Sequence, residues 1–146
     1  MLQGCYTALI TPFTADGQVD YETLHRLVEF QIAQGVSGIL AMGTTGESAT
    51  LDWKEHSEVI KKVADFAGGR CRIIAGTGSN STAETMKYTR EVRDCGIDAI
   101  LLVEPYYNGP SSIEIRKEYM GPVADEFPEL EVIPYVIPGR SGTQLL

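Results

Sequence analysis

The stretch Ile39-Leu40-Ala41-Met42-Gly43-Thr44-Thr45-Gly46-Glu47-Ser48, with Asp52-Trp53-Lys54-Glu55 close behind it, decides how the rest of the chain is read. Four apolar residues run into a turn that holds two glycines. Asp52 then stands three residues before Glu55, the spacing at which a capping carboxylate and a Glu side chain each take the other's backbone N–H. Beyond it Val59, Ile60, Val63 and Ala64 recur at helical spacing, up to Gly68-Gly69. The unit is strand, turn, helix.

The unit recurs along the chain. Apolar runs occupy 6–10, 39–42, 73–75, 100–103 and 132–136, and the last four begin 34, 27 and 32 residues apart. About 30 residues is what a strand plus its crossover helix occupies. A first helix is expected from Asp20 to Gly35 with Leu24, Leu27, Val28 and Ile32 on one face. A third follows Ser81 and Glu84, a capping-box pair, and ends at Gly96. A fourth follows Ser111 and Glu114 and runs to about Glu126. A further helix is expected to start at Gln144-Leu145-Leu146. The near-continuous apolar runs predict parallel strands covered on both faces. Five strands alternating with four helices mean an α/β protein with a parallel sheet. Two architectures fit: a doubly wound open sheet, or the first five strands of a (β/α)8 TIM barrel. A complete barrel takes about 250 residues, more than the 146 of this chain.

Composition narrows the function. The chain carries 20 acidic and 12 basic side chains, a net charge of −8. That balance argues against a nucleic-acid surface, which needs a density of Lys and Arg to neutralise phosphates. No apolar run approaches the ~20 residues of a membrane-spanning helix. Met1-Leu2-Gln3-Gly4 carries no basic segment ahead of an apolar one, so a cytoplasmic location is expected. Cys5, Cys71 and Cys95 are odd in number and far apart, and are expected as packed, reduced thiols. His25 and His56 are equally separated, each in a helix among charged neighbours, and no His, Asp and Glu cluster has metal-ligand spacing. Neither a metal nor a cofactor is expected. Gly76-Thr77-Gly78 opens like a dinucleotide turn, but Ser81 stands where its third glycine belongs.

In both architectures ligands bind at the carboxyl ends of the strands. Gly43-Thr44-Thr45-Gly46 turns tightly there. Outward N–H groups and two hydroxyls suit a small carboxylate; the plainer alternative is a turn whose threonines satisfy the backbone. Tyr106 and Tyr107, after Pro105, cannot both point inward, so one is expected to reach a neighbouring surface or subunit. Tyr135 suits a proton relay near a barrel axis, or else is a core tyrosine. Arg140, flanked by Gly139 and Gly142, suits a carboxylate clamp, or else is a surface charge.

Taken together and in order, Thr7-Ala-Leu-Ile-Thr-Pro-Phe13, Gly43-Thr-Thr-Gly-Glu-Ser-Ala-Thr-Leu51, Ile74-Ala-Gly-Thr-Gly78, Pro105-Tyr-Tyr-Asn108 and Pro138-Gly-Arg-Ser-Gly142 resemble the dihydrodipicolinate synthases. These are class I aldolases related to N-acetylneuraminate lyase. Neuraminate lyases tend to carry Gly-Ser-Thr-Gly-Glu where this chain has Thr44. The resemblance implies a partial TIM barrel, with residues 1–146 as the N-terminal portion of a single barrel domain and the C-terminal half absent.

The resemblance also implies a chemistry: Schiff-base condensation of pyruvate with aspartate semialdehyde, on the route to diaminopimelate and lysine, with no cofactor. Thr44 and Thr45 match the residues that hold the pyruvate carboxylate and relay protons. Tyr135 matches the acid/base beside the Schiff base. Tyr107 matches the tyrosine lent across a tight dimer, within a tetramer built as a dimer of dimers. Arg140 matches the arginine that receives the second carboxylate. Ser48, Ala49, His56, Asn80, Glu84 and Tyr106 match a feedback site for lysine, and Trp53 stands at a position that varies among relatives.

Three departures accompany the match. Val136 stands where Asn usually follows the catalytic tyrosine, and Glu104 stands where Thr is common; both are expected near the site. The Schiff-base lysine of the family lies beyond residue 146. Lys54, Lys61, Lys62, Lys87 and Lys117 all fall in expected outer helices, solvated and protonated, whereas an imine-forming lysine must be neutral in a desolvated pocket. Two competing readings remain: another pyruvate-dependent aldolase of the same family, and a non-catalytic truncated fragment, whose open sheet is expected to associate.

Overall fold

The structure, a computed structural model, describes residues 2–146; Met1, the first residue of the N-terminal reading, lies outside them. One parallel sheet holds β1 (Tyr6–Ala8), β2 (Gly38–Ala41), β3 (Arg72–Gly76), β4 (Ala99–Val103) and β5 (Glu131–Tyr135). The strands lie side by side in sequence order. Tyr6 pairs with Gly38, Gly38 with Arg72, Ile74 with Ala99, and Ala99 with Glu131. Between them run α1 (Tyr21–Ala33), α2 (Trp53–Ala67), α3 (Thr82–Val92) and α4 (residues 112–126).

That order separates the two architectures. Crossovers between parallel strands are right-handed in nearly all cases. A doubly wound sheet reverses its strand order at a switch point and so places helices on both faces. Here the order never reverses, so every crossover helix lands on the same face, as in a barrel. The contacts agree, with α1 packing on α2 and α2 on α3.

The helix-facing side of the sheet is the core. Ile39, Ala41, Ile73, Ala75, Ile100 and Leu102 are buried beneath Leu24, Val28, Val59, Ile60, Val63, Val123 and Phe127. Burying each of the larger side chains contributes about 1.5–3 kcal/mol. On the opposite side Leu40, Leu101 and Val103 are only half-buried. The near-continuous apolar runs predict cover on both faces; helices cover one face, and the other supplies the wall of a cavity.

The helix ends follow the capping signals, with instructive exceptions. Asp52 accepts from the Lys54 and Glu55 N–H groups while Glu55 reaches back to Asp52 N, a complete capping box. Ser111 and Glu114 form another. At α3 the box is half made: Ser81 accepts from Glu84 N, but the Glu84 carboxylate turns away to accept from Ser79 Oγ at 2.8 Å. α4 is not one regular helix. Between Ser112–Glu114 and Gly121–Glu126 it widens into a π-helical turn, Ile115–Met120. Pro122 has no N–H to give the Glu118 carbonyl, and its ring would press on it. The wider turn relieves that, and Thr82 Oγ1 donates to the freed Glu118 carbonyl at 2.9 Å.

Two local expectations are corrected. No helix starts at Gln144. Residues 143–146 are irregular, with Leu145 N on the Glu104 carboxylate and Leu146 N on Ser112 Oγ, and the helical turn near this end is α5 (Pro138–Ser141), just after β5. Cys71 and Cys95 are half-buried thiols, pushed up by burial. Cys5 is exposed rather than packed. No helix among the described residues is long and apolar enough to cross a membrane.

Candidate active site

The carboxyl ends of the strands converge on one rim, and close packing of the loops shapes it. Residues Thr44–Gly46 form a single 3-10 turn after β2. The N–H groups of Gly46, Glu47 and Ser48 close that turn on the carbonyls of Gly43 and Thr44. Those of Thr44 and Thr45, at its start, are left without a partner among the described residues. Thr11, at the end of the first strand segment, donates from Oγ1 to the Gly46 carbonyl at 2.7 Å and fixes the turn from below. The two glycines after β3 have a steric reason. A Cβ on Gly76 would sit 2.1 Å from the Met42 carbonyl, and one on Gly78 would sit 2.5 Å from Val103 N. They bring neighbouring backbones together and need no phosphate to explain them.

Within this rim is a cavity of about 410 Å³. Thr44, Tyr135 and Arg140 all line it, with Ser48, Tyr106 and Ser141 around them and Leu101 and Val103 as its apolar floor. Tyr135 and Ile137 face the cavity while Val136 between them is 43% exposed and outside the lining. The Val136 departure therefore leaves the cavity wall unaltered. Thr45 is exposed and does not line the cavity. Tyr107 does not line it either; it is 92% exposed, with a backbone φ of 78° in the left-handed region.

The residues matched to the lysine site divide. Ser48, Ala49 and Tyr106 line the large cavity, and Tyr106 also borders a second cavity of about 400 Å³ with Asn80, Glu114, Glu118 and Tyr119. Asn80 Nδ2 reaches the Tyr106 carbonyl at 3.5 Å. Glu84 is exposed and bonded to Ser79. His56 is not a surface helix residue but is buried, its Nε2 2.6 Å from the Gly76 carbonyl. A carbonyl only accepts, so Nε2 carries the proton. Burial holds the His56 pKa below its ordinary value. Its ring tilts against Trp53 at 4.6 Å, and Trp53 stacks on Tyr88 at 4.2 Å.

Some supporting residues were not legible in the sequence. Tyr119 is buried, its phenol raised to about 12 by desolvation, and it accepts from Ser79 N at 3.2 Å. Its position in an amphipathic helix reads only as core. Glu104 is a departure legible in the sequence, but its surroundings are not. It is fully buried at the end of β4, where its carboxylate accepts from Ser141 Oγ at 3.2 Å and from Leu145 N. A charged residue closing an apolar strand was the signal. None of the five lysines lines the cavity; they stand on α2, α3 and α4.

The chain matches the Dihydrodipicolinate synthetase family over residues 1–146. It is 47% identical over 146 residues to the 4-hydroxy-tetrahydrodipicolinate synthase of Methylococcus capsulatus, covering 100% of this chain and 50% of that protein. A crystal structure of the chloride-inhibited dihydrodipicolinate synthase from Acinetobacter baumannii, complexed with pyruvate, superposes with a TM-score of 0.94 at 45% identity, over 99% of this chain and 49% of that one. The synthase from Cyanidioschyzon merolae with lysine bound superposes at 0.92 with 41% identity, over 97% and 48%. The chain spans about half the length of the curated relatives it matches.

Proposed function

The chain belongs to the dihydrodipicolinate synthetase family, and from that premise we propose that it supplies the carboxylate grip and proton relay for Schiff-base condensation of pyruvate with aspartate semialdehyde in a cytoplasmic synthase. The observation that carries this reading is the convergence of Thr44, Tyr135 and Arg140 on one cavity. Thr44 and Thr45 hold the pyruvate carboxylate through their hydroxyls and the open N–H groups of their turn, Thr44 from the cavity wall itself. Tyr135 moves protons at the reacting carbon through its phenol. Arg140, at the mouth, receives the carboxylate of the aldehyde in a two-pronged bond. Tyr107 points away from its own cavity, which suits a tyrosine lent to a second copy across a tight dimer, within a tetramer built as a dimer of dimers.

Imine formation needs a neutral amine inside the cavity. The lysines of this chain stand on the outer helices, so that amine comes from polypeptide other than residues 1–146. Lysine, as feedback inhibitor, is placed at Ser48, Ala49, His56, Asn80, Glu84 and Tyr106; the lysine-bound relative supports this part of the reading.

The test is turnover of aspartate semialdehyde with pyruvate, combined with borohydride trapping and peptide mapping. Thr44→Val is expected to lower kcat by about 10²-fold without altering the unfolding midpoint. No peptide from residues 1–146 is expected to carry the reduced pyruvate adduct. An adduct on Lys54, Lys61, Lys62, Lys87 or Lys117 sinks the assignment. Turnover of pyruvate with a sugar-acid aldehyde but not with aspartate semialdehyde moves the protein to another aldolase of the family. Calorimetry showing no lysine uptake removes the feedback site.

A further inference from the structure

The segment that carries Arg140 is poorly held by its own sequence. It begins at Pro138, which has no N–H, and is flanked by Gly139 and by Gly142 at a φ of 71°. The N–H groups of Arg140, Ser141 and Gly142 close only on the carbonyls of Ile137 and Pro138. A four-residue helical turn with purely local bonds is marginal in water. Among the described residues, one hydrogen bond ties residues 137–142 to the sheet beneath them: Ser141 Oγ to Glu104 Oε2, at 3.2 Å. The same carboxylate accepts from Leu145 N, where the chain runs back. Through its backbone Glu104 N also donates to the Tyr135 carbonyl at 3.2 Å. One buried residue thus touches the strand that presents Tyr135 and the residue next to Arg140.

We propose that Glu104 is a positioning residue that anchors the Arg140 segment over the cavity and so sets the affinity for the second, carboxylate-bearing substrate. Ser141 Oγ has a single proton and three acceptors in reach: Glu104, the Ile137 carbonyl at 3.1 Å and the Thr143 carbonyl at 3.4 Å. A carboxylate is the strongest of the three. A buried carboxylate is in turn costly unless its oxygens are bonded. Each side of the contact therefore depends on the other, and loss of either releases the segment. The consequence for substrate rests on the reading of Arg140 given above; the anchoring itself does not.

The experiment compares the wild-type protein with Glu104→Gln, Glu104→Ala, Ser141→Ala and Arg140→Ala. Trypsin cleavage after Arg140 reads the order of the segment directly. Glu104→Gln can keep both contacts, its oxygen accepting from Leu145 N and its amide N–H donating to Ser141 Oγ, and is expected to be cleaved at the wild-type rate. Glu104→Ala and Ser141→Ala are expected to be cleaved about tenfold faster. Ser141→Ala gives the same readout if Glu104→Ala fails to fold. In turnover, Ser141→Ala and Glu104→Ala are expected to raise KM for the aldehyde about tenfold, with kcat and the KM for pyruvate within about twofold of wild type, and Glu104→Gln to restore it. Unchanged cleavage in both alanine variants overturns the anchoring. Faster cleavage with both KM values moving together, or with none moving, overturns the positioning role. If Arg140→Ala leaves the aldehyde KM unchanged, the reading of Arg140 fails by itself, and the cleavage rates still decide the anchoring.

Discussion

The Thr11 hydroxyl donates to the Gly46 carbonyl at 2.7 Å, and both residues are buried. This bond ties the end of the first strand segment to the turn that carries Thr44. Thr11→Val keeps the shape and leaves the Gly46 carbonyl without its donor. An unsatisfied buried acceptor costs about 1–3 kcal/mol. Urea unfolding is expected to show a lower midpoint with an unchanged slope. Thr11→Ser is expected to recover most of the loss, and a Ser variant as unstable as Val would assign the effect to packing instead.

His56 makes stability depend on pH. Burial holds its folded pKa below the ordinary 6.5. At neutral pH both folded and unfolded forms are uncharged and its contribution is complete. As pH falls below about 6.5 the unfolded chain takes up a proton that the folded chain refuses, so stability drops until the folded pKa is passed. Thermal unfolding from pH 7.5 to 5 is expected to show this decline. His56→Gln keeps an N–H donor for the Gly76 carbonyl and is expected to flatten that part of the profile.

Gly76→Ala tests the close approach of β3 to the Met42 turn. The added methyl would meet a carbonyl of the backbone at 2.1 Å, which no side-chain rotation relieves. Overpacking of this kind costs about 3 kcal/mol or more. Gly139→Ala, where nothing lies within 4 Å of the new methyl, is the matched control and is expected to leave the midpoint in place.

Tyr107 separates folding from function. At 92% exposure its side chain contributes little to the stability of its own chain, and its φ of 78° is one that glycine adopts more readily. Tyr107→Gly is expected to keep the circular-dichroism spectrum of wild type while losing turnover by about 10²-fold. Sedimentation shows whether the loss accompanies dissociation.

Much of the fold was legible because its signals are local. Asp52 and Glu55 announce a helix start in four residues, and the capping box they predict is present. The recurrence of strand, turn and helix requires only counting. Where local signals compete, the partner nearer in space wins. Glu84 stood at capping-box spacing from Ser81, yet Ser79 was nearer in space and took its carboxylate. Pro122 lay inside a helical pattern, and its missing N–H became a π turn rather than a break. His56 looked like a residue among charged neighbours, but the helix face it occupies is turned to the sheet.

The candidate site shows the same division. Residue types at the strand ends offered Thr44, Thr45, Tyr135 and Arg140 as candidates, each beside a plainer alternative, and the family resemblance gave them their roles. The convergence of Thr44, Tyr135 and Arg140 on one cavity, the exclusion of Thr45, Tyr107 and Val136 from its wall, and the burial of Glu104 were not readable. Sequence by itself determined the period, the element types and the family, since each is carried by residues within one turn or strand of each other. Only the tertiary structure decided that Thr44, Tyr135 and Arg140 line one cavity and that residues 37 positions apart, Glu104 and Ser141, meet. Those depend on how strands are ordered side by side, and strand order is set by packing across the whole sheet, not by any stretch of chain taken alone.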